Sequence, residues 1–249
     1  MSTKALGIDI GGTGIKLATV ELERGKLASE RKRARTPQPA TPKLMGAALA
    51  KLLDDPDVAG ATIVGAGFPA VIKDGTALTA ANVSKEWIGT DVAALIGGLV
   101  QQRVSVLNDA DAAGLAEVRF GAGKGQMGEI IMVTLGTGIG TGMFVDGKLV
   151  PSSELGHMEI RGKEAESRAS ASARERRKIS WKEWAMDVQE FLRTLDRLFW
   201  PELIIIGGGV SANPERFMPH ISVRCRLEVA TMGNSAGIVG AALYASEQP

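Results

Sequence analysis

Cysteine and histidine are scarce in this 249-residue chain, which contains one cysteine and two histidines. A single thiol, Cys225, excludes an internal disulfide framework and a metal site built from several cysteines, and is expected to be a small buried residue. No apolar run reaches the roughly 18 residues that a membrane span needs, and the N-terminus has no signal-peptide pattern. We therefore expect a cytoplasmic protein that does not associate with a membrane.

An excess of charge of one sign is also missing. The formal net charge is +1, which argues against nucleic acid as the main partner. The basic residues are nevertheless clustered, first at Arg31-Lys32-Arg33-Ala34-Arg35 and again at Arg174, Arg176, Arg177 and Lys178. Two interpretations stay open for these clusters: solvated surface segments, or a track for an extended polyanion.

Glycine is abundant, with 31 residues, and it is concentrated in three turns. These are GIDIGGTGIK at Gly7–Lys16, TLGTGIGTG at Thr134–Gly142 and IIIGGGV at Ile204–Val210. Each turn follows a short apolar run and therefore exposes backbone N–H groups at a strand end, where they can surround phosphate oxygens. Three such turns, combined with the dipeptide Asn108-Asp109, indicate an enzyme that transfers a phosphoryl group.

The apolar pattern predicts an α/β fold. Strands at Ala5–Ile10 and Ile15–Leu22 flank the first glycine turn, an order that disfavours the strand-to-helix turn of a dinucleotide-binding fold. Further strands are expected at 27–35, 61–65, 103–107, 130–135, 141–145 and 203–206, and helices at 43–53, 91–99, 109–120, 181–200 and 236–245. Residues 163–178 are compatible with either a helical excursion or a loop.

Two strand-rich segments, each opened by a glycine turn, predict a duplicated architecture with two lobes and a central cleft. We expect a small lobe at residues 1–107, completed by the C-terminal segment 236–249. Residues 108–235 are expected to form a large lobe.

Asn108 and Asp109 follow an apolar strand and precede a predicted helix. A carboxylate at such a strand end is well placed to contact a substrate. The structural alternative is a helix N-cap, a position that both residue types favour. Both roles can coexist, with Asn108 capping the helix and Asp109 contacting the substrate.

Asp9 lies within the first glycine turn, where an anion among phosphate-binding amides is best explained by a magnesium ion or its bound water. Lys16 could stabilise the same site or be a surface lysine. Glu154 and His157 lie three residues apart, and together with Glu159 they offer hydrogen-bonding groups suited to the hydroxyls of a sugar. A purely structural histidine is the alternative there.

These motifs resemble those of the ROK family of sugar kinases, within the actin-like ATPase superfamily, which has a ribonuclease H-like fold. The matching segments, in the order of the family, are DIGGTGIK (Asp9–Lys16), NDADAAGLAE (Asn108–Glu117), TLGTGIGTG (Thr134–Gly142), ELGH (Glu154–His157), GGGVS (Gly207–Ser211) and AGIVGAA (Ala236–Ala242).

The chain departs from most of the family in one place. ROK kinases generally continue from the histidine into a cysteine-rich zinc motif, whereas no cysteine follows His157 here, so we expect no zinc site. This segment, with TPQPATP and TAANVSKEWIG, is similar to the actinobacterial polyphosphate glucokinases and glucomannokinases. The resemblance implies transfer of a terminal phosphoryl group from polyphosphate, ATP or both to the 6-hydroxyl of glucose, with mannose as a further acceptor.

The resemblance also implies individual roles. Asp109 would be the general base, and the sugar would be bound by Asn82, Asn108, Asp109, Glu154 and His157, with Glu159 as a further contact. Phosphates and Mg²⁺ would be bound by Asp9, Gly11, Gly12, Thr13, Lys16, Thr134, Gly136, Thr137 and Gly138. Gly208 and Gly209 would approach the adenosine of ATP. A homodimer is expected from the family alone.

Three alternatives remain at this point. The first is a ROK sugar kinase that uses only ATP and acts on another hexose. The second is a polyphosphate-hydrolysing phosphatase of the same superfamily, which would not need Asn82 or the Glu154–His157 cluster. The third is a sugar-responsive transcriptional regulator, which is disfavoured because the first predicted strand at Ala5 leaves no room for an N-terminal DNA-binding domain.

Overall fold

The computed structural model describes residues 3–58 and 60–248. The chain forms two compact units, of which the first consists of Met1–Ala116 and Asn234–Pro249 and the second of Glu117–Gly233. The C-terminal segment thus belongs to the same unit as the N-terminal residues. The first unit, expected to be the smaller, is the longer of the two.

The described residues of the first unit form two sheets and four α-helical segments. Its strands are β1 (Lys4–Ile10), β2 (Gly14–Glu21), β3 (Lys26–Leu27), β4 (Lys32–Arg35), β5 (Val64–Phe68), β6 (Ile72–Lys73), β7 (Thr76–Ala77) and β8 (Val104–Asn108). Its helices are α1 (Pro42–Leu53), α2 (Val92–Val100), the first part of α3 (Asp109–Phe120) and, from the end of the chain, α7 (Ala236–Ser246).

The main sheet of this unit has the order β3-β2-β1-β5-β8, and β4 also pairs with β2. The β1–β2 pair is antiparallel, whereas β1, β5 and β8 run parallel. The carboxyl ends of the three parallel strands therefore meet at one edge, where ligands bind in open α/β sheets. A short β6–β7 hairpin completes the unit.

Alternation along β1 divides its side chains between the two faces of the sheet. Leu6 and Ile8 enter the apolar core that α1 and α2 cover, and Met45 and Ile96 are among its buried helical residues. Helix α7 packs on strands β1, β2, β5 and β8. Its buried residues are nearly all small or aliphatic, which lets its backbone lie close to the sheet.

The expected boundary between the lobes, before Asn108, differs from the division into units, which lies within α3 after Ala116. The backbone of Ala112 contacts Gly240 of α7 and so belongs to the first unit. The Glu117 carboxylate accepts a hydrogen bond from Met232 N at 2.7 Å and so belongs to the second.

The second unit repeats this plan. Its strands are β9 (Glu129–Leu135), β10 (Ile139–Val145), β11 (Lys148–Val150), β12 (Glu159–Ile160), β13 (Lys163–Glu164), β14 (Leu203–Gly207) and β15 (Arg226–Val229). Its remaining helices are α4 (Glu166–Ala169), α5 (Ala171–Arg177) and α6 (Trp181–Phe199). Residues 163–178, whose sequence is compatible with either a helix or a loop, form a strand and two short helices.

The main sheet of the second unit has the order β11-β10-β9-β14-β15. The β9–β10 pair is antiparallel and β14 runs parallel to both β9 and β15, so the arrangement matches that of the first sheet. The duplicated α/β architecture expected from the sequence is therefore observed, although β15 was not anticipated.

Helix α6 begins with a capping box, in which Ser180 and Glu183 satisfy each other's backbone N–H groups. Trp184 is fully buried on its apolar face and donates to the carbonyls of Ala169 and Ser170 at 3.1 and 3.0 Å. Cys225 is buried in the same core, as expected. Its burial, reinforced by Asp196, raises the pKa of the thiol to about 11.

Across residues 3–58 and 60–248, the helices are all too short or too polar to cross a bilayer.

Candidate functional site

Asp9 and Lys16 form an ion pair beside the first glycine turn. They face each other across β1 and β2, and Asp9 Oδ2 lies 2.9 Å from Lys16 Nζ. The Asp9 side chain is 16% exposed and that of Lys16 31%. Lys16 is thus engaged with Asp9 rather than being an isolated surface lysine, and the pair leaves part of the carboxylate accessible.

The Asp9 carboxylate also abuts Gly237, in the first turn of α7. A Cβ placed on Gly237 would lie 2.7 Å from Asp9 Cγ, so only glycine leaves room for this carboxylate. Negative charge is stabilised near the N-terminus of a helix by the helix dipole. The start of α7 therefore fixes Asp9 sterically and electrostatically.

Asn108 caps helix α3, which is the structural role that the sequence suggests for it. Its Oδ1 accepts hydrogen bonds from Ala110 N at 2.8 Å and Asp111 N at 3.2 Å, and its Nδ2 donates to Ala70 O. The residue is 7% exposed. Asn108 is therefore held rigidly at the end of β8.

Asp109, the first residue of α3, is half-buried and packs over Gly67 of β5. Gly67 is the residue opposite Asp9 in the parallel β1–β5 register. The two carboxylates predicted to do chemistry therefore lie over neighbouring strands at the same edge of the sheet.

Asn82 lies beside the first glycine turn, with its backbone oxygen and Cβ against Gly12. The turn itself is anchored by Thr36, whose hydroxyl donates to Gly11 O at 2.6 Å. Thr13 at its tip is exposed. The first unit thus assembles Asp9, the glycine turn, Asn82, Asn108 and Asp109 around the carboxyl end of its sheet.

The second glycine turn joins β9 to β10 in the second unit. Nothing lies within 4 Å of a Cβ placed on Gly136, so this side of its backbone is open to a ligand. Two hydrogen bonds from Ser172 of α5 hold this turn. The Ser172 hydroxyl donates to Thr137 O at 2.6 Å, and its N–H donates to Gly136 O at 3.2 Å.

The third glycine turn lies alongside the second, because Gly207 pairs with Thr134 in the parallel β9–β14 register. Gly208 has φ +82°, and a Cβ there would lie 2.5 Å from Leu135 O, so this glycine is required by the packing of the two turns. Gly209 has open space around it. Both glycines are predicted to approach a ligand, and of the two only Gly209 has free space beside its backbone.

Glu154 directly precedes a 3-10 turn, Leu155–His157, that ends with His157 and is fixed to β10. Thr141 Oγ1 accepts from Leu155 N at 3.0 Å and donates to Ser153 O at 2.6 Å. Burial raises the pKa of Glu154, and the neighbouring His157 opposes that shift electrostatically. The neighbouring Glu166 reinforces it.

The His157 ring lies between two carboxylates. Its Nε2 is 3.8 Å from Glu154 Oε2, and its Nδ1 is 3.3 Å from Glu164 Oε2 on β13. Glu159, the remaining predicted sugar contact, is exposed on β12 opposite Glu164. Glu166 accepts from Ile139 N at 3.1 Å, immediately after the second glycine turn.

One group of side chains in the described part of the chain could hold a metal ion. Ligand atoms of His157, Glu164 and Glu166 lie within 4.8 Å of one another. Glu166 is already bound to the backbone of β10, which reduces its capacity as a ligand. The absence of zinc therefore stays a prediction.

The sequence did not reveal several residues that shape these sites. Glu164, Glu166 and Ser172 lie in the polar segment 163–178, which has no strong periodicity. Gly237 appears in the sequence as one of many small residues in a helix. Glu117, which is fully buried and binds Ala122 N and Met232 N, had only its membership of the NDADAAGLAE motif to indicate it.

Two α/β units of matching topology, with one glycine turn at the carboxyl end of the first sheet and two at that of the second, define the class of the protein as actin-like. The ROK family model matches residues 5–176, and the chain belongs to the ROK family. The polyphosphate glucokinase of Mycobacterium tuberculosis H37Rv is 43% identical over 238 residues, which cover 95% of this chain and 89% of the relative.

Comparison with solved structures also identifies sugar kinases as similar proteins. The inorganic polyphosphate/ATP-glucomannokinase of Arthrobacter sp. strain KM superposes with a TM-score of 0.95 at 47% identity, covering 99% of this chain and 100% of that one. A ROK family glucokinase from Streptomyces griseus, solved in complex with glucose and AMPPNP, gives a TM-score of 0.84 at 26% identity, covering 98% and 100%. The predicted actin-like ATPase fold is confirmed.

Proposed function

We propose that this protein transfers the terminal phosphoryl group of polyphosphate or ATP to the 6-hydroxyl of glucose, and that mannose is a further acceptor. The observation that carries the proposal is the similarity to the Arthrobacter polyphosphate/ATP-glucomannokinase, which extends over nearly the whole of both chains. The similarity to the mycobacterial polyphosphate glucokinase supports polyphosphate as a donor and glucose as an acceptor.

Asp109 is proposed as the general base. It would take the proton of the 6-hydroxyl as that oxygen bonds to the terminal phosphorus and the bond to the bridging oxygen breaks. A polyphosphate chain then leaves one phosphate shorter, and ATP leaves as ADP. General-base catalysis of this kind contributes about 10²–10⁴-fold to the rate. The rigid cap at Asn108 and the packing over Gly67 would keep Asp109 in position.

Sugar binding is assigned to Asn82, Asn108, Asp109, Glu154 and His157, with Glu159 as an outer contact. A carboxylate and an imidazole can together accept from and donate to neighbouring hydroxyls of a hexose. The 3-10 turn held by Thr141 fixes Glu154 and His157 relative to each other, which supports a role in recognition rather than in surface charge.

Phosphate binding is assigned to two sets of backbone groups. The first glycine turn contributes Gly11, Gly12 and Thr13, and the second contributes Thr134, Gly136, Thr137 and Gly138. Gly209, with Gly208 holding the turn in shape, would approach the adenosine of ATP. Positioned N–H groups stabilise the charge that develops on a transferred phosphoryl group.

Magnesium is the metal ion that this donor set fits. Mg²⁺ in phosphoryl-transfer sites is held by one or two carboxylates together with substrate phosphates and water, and Asp9 supplies one partly accessible carboxylate. When bound, the ion would neutralise charge on the donor phosphates. Lys16 would balance the charge of Asp9 and add a cation near the phosphates.

Cytoplasmic location, assembly as a homodimer, a role in glycolysis and the absence of nucleic-acid partners remain predictions. The homodimer rests on the family alone, and the nucleic-acid prediction rests on the net charge of +1.

A donor-by-acceptor activity matrix tests the proposal. ATP and polyphosphate would each be offered with glucose, mannose, fructose and N-acetylglucosamine, in the presence of Mg²⁺. We expect glucose 6-phosphate from both donors and weaker activity with mannose. Activity with ATP but not with polyphosphate would support the ATP-only alternative. Release of phosphate from polyphosphate without sugar would support a phosphatase.

A further inference from the structure

The basic run at residues 31–35 is divided by strand β4 between two faces of the first sheet. Lys32 is opposite Leu17 on β2, whereas Arg33 is opposite Lys16 and Arg35 is opposite Gly14. Paired residues share a face, and successive residues alternate between faces. Lys32 therefore lies on the face of the buried Leu17, and Arg33 and Arg35 lie on the face of Lys16.

Lys32 is neutralised by acidic residues that follow α1. Its Nζ lies 2.8 Å from Asp55 and 3.5 Å from Asp57. The hydrogen bond to Asp55 raises the pKa of Lys32, and the same contact holds the pKa of Asp55 below its ordinary value. Lys32 is therefore occupied by intramolecular partners.

Arg33 and Arg35 are exposed, and the structure of residues 3–58 and 60–248 shows no ion pair for either of them. Two positions apart on a strand, they are separated by about 7 Å. The end of β4 is also tied to the first glycine turn: Thr36 N donates to Thr13 O at 3.3 Å and the Thr36 hydroxyl donates to Gly11 O. Two cations without acidic partners thus adjoin a proposed phosphate-binding turn.

The second basic cluster is differently engaged. Arg177 forms an ion pair with Asp187 at 2.6 Å, and Arg174 stacks over the Trp181 ring at 4.1 Å. Arg176 donates to Ser167 O at 3.2 Å. These arginines stabilise the packing of α5 in the second unit.

We propose that Arg33 and Arg35 form a binding subsite for the phosphate units of polyphosphate that lie beyond the transferred one. Guanidinium groups bind phosphate oxygens in a bidentate manner and stay charged at every physiological pH. Polyphosphate carries charge along its whole length, whereas ATP ends in a nucleoside. The subsite therefore favours polyphosphate over ATP, an inference that rests on the proposed function.

The test compares the double variant Arg33→Gln/Arg35→Gln with the control Lys32→Gln, which removes a cation from the opposite face of the same strand. For each protein, kcat/KM is measured with long-chain polyphosphate and with ATP, from low to high salt. We expect the double variant to lose about tenfold in kcat/KM for polyphosphate through KM. Its salt dependence, the slope of log(kcat/KM) against log[salt], should become shallower by about 1.5, since each lost phosphate contact contributes about 0.7–0.9.

Activity with ATP should stay within about twofold in both variants, and this also shows that the double variant is folded. Equal losses with ATP and polyphosphate would overturn the subsite, as would a loss of polyphosphate activity in Lys32→Gln as large as that in the double variant. A wild-type protein that uses ATP but not polyphosphate would instead overturn the proposed donor, and the subsite with it.

Discussion

The imidazole Nδ1 of His157 lies 3.3 Å from Oε2 of Glu164, on the short β12–β13 hairpin. A carboxylate on one ring nitrogen fixes the tautomer and the orientation of a histidine, leaving the other nitrogen to face its partner. Here that other nitrogen, Nε2, faces Glu154. Glu164 is thus placed to orient His157.

Replacing Glu164 should weaken sugar binding more than turnover. Both side chains are partly exposed, so the pair is worth no more than about 1 kcal/mol, which corresponds to a two- to fivefold effect. We expect Glu164→Ala to raise the KM for glucose by about that factor with little change in kcat, and Glu164→Gln to restore part of the loss. Steady-state kinetics with Lys163→Gln, a neighbouring exposed position, provides the control. A fall in kcat with KM unchanged would contradict this role.

Chelation should not affect the His157 site. Zinc sites use three or four protein ligands, whereas Glu166, one of the three candidate ligands, already accepts a hydrogen bond from Ile139 N, which leaves His157 and Glu164. We expect protein dialysed against a chelator and returned to Mg²⁺ to keep its KM for glucose, and elemental analysis to find much less than one zinc per chain. Stoichiometric zinc whose removal raises this KM would contradict the assignment.

Gly237→Ala should impair the reaction with both donors. The added methyl group would lie 2.7 Å from Asp9 Cγ and would force the carboxylate or the start of α7 to move. We expect at least a tenfold loss of kcat/KM for polyphosphate and ATP alike, accompanied by a lower unfolding temperature. Gly98→Ala in α2 is the matched control, because nothing lies within 4 Å of its added Cβ. Alanine there should stabilise the helix by up to about 1 kcal/mol without affecting activity.

Glu154→Gln should raise the stability of the fold at neutral pH and lower its affinity for the sugar. Burial raises the pKa of Glu154 above its ordinary value of 4.5, so the folded chain binds this proton more tightly than the unfolded chain. Native stability is therefore lost as the pH rises from 4.5 through the raised pKa. We expect the variant to unfold at a higher temperature than the wild type at pH 7–8, with the difference disappearing below pH 4.5.

The same variant should bind glucose less well at neutral pH, because an amide replaces a carboxylate acceptor. Thermal unfolding curves across the pH range, together with the KM for glucose, check both effects. An unfolding temperature below that of the wild type at pH 8 would show that the contacts of the carboxylate outweigh the cost of burying it.

The elements with strong local signals were predicted well. The strand–turn–strand around the first glycine turn and the helix after Asn108 have clear apolar periodicity and capping residues, and both are present. The strand expected at 61–65 lies at Val64–Phe68 instead, because a Gly-Ala-Gly segment that resembles a turn is buried in the sheet. The single strand expected at 27–35 is two short strands, β3 and β4.

The contacts that define the candidate site arise from tertiary packing, which explains why the sequence did not reveal them. Asp9 meets Gly237 across 228 positions of the chain only because α7 returns to the first sheet. Strand β15 alternates charged residues with apolar ones and lacks a long apolar run, so it resembles a loop in the sequence. The candidate site residues were recognisable from short sequence motifs, whereas the residues that position them were not.

The central claim is that Asp109 supports transfer of a phosphoryl group to glucose, and the stoichiometry of that transfer tests it most directly. Polyphosphate consumed and glucose 6-phosphate formed would be measured together, for the wild type and for Asp109→Asn. We predict one glucose 6-phosphate per phosphate removed, no consumption without sugar, and a loss of about 10²–10⁴-fold in the variant with glucose affinity nearly intact. Consumption of polyphosphate without glucose, or a variant keeping more than about a tenth of the wild-type rate, would contradict the account.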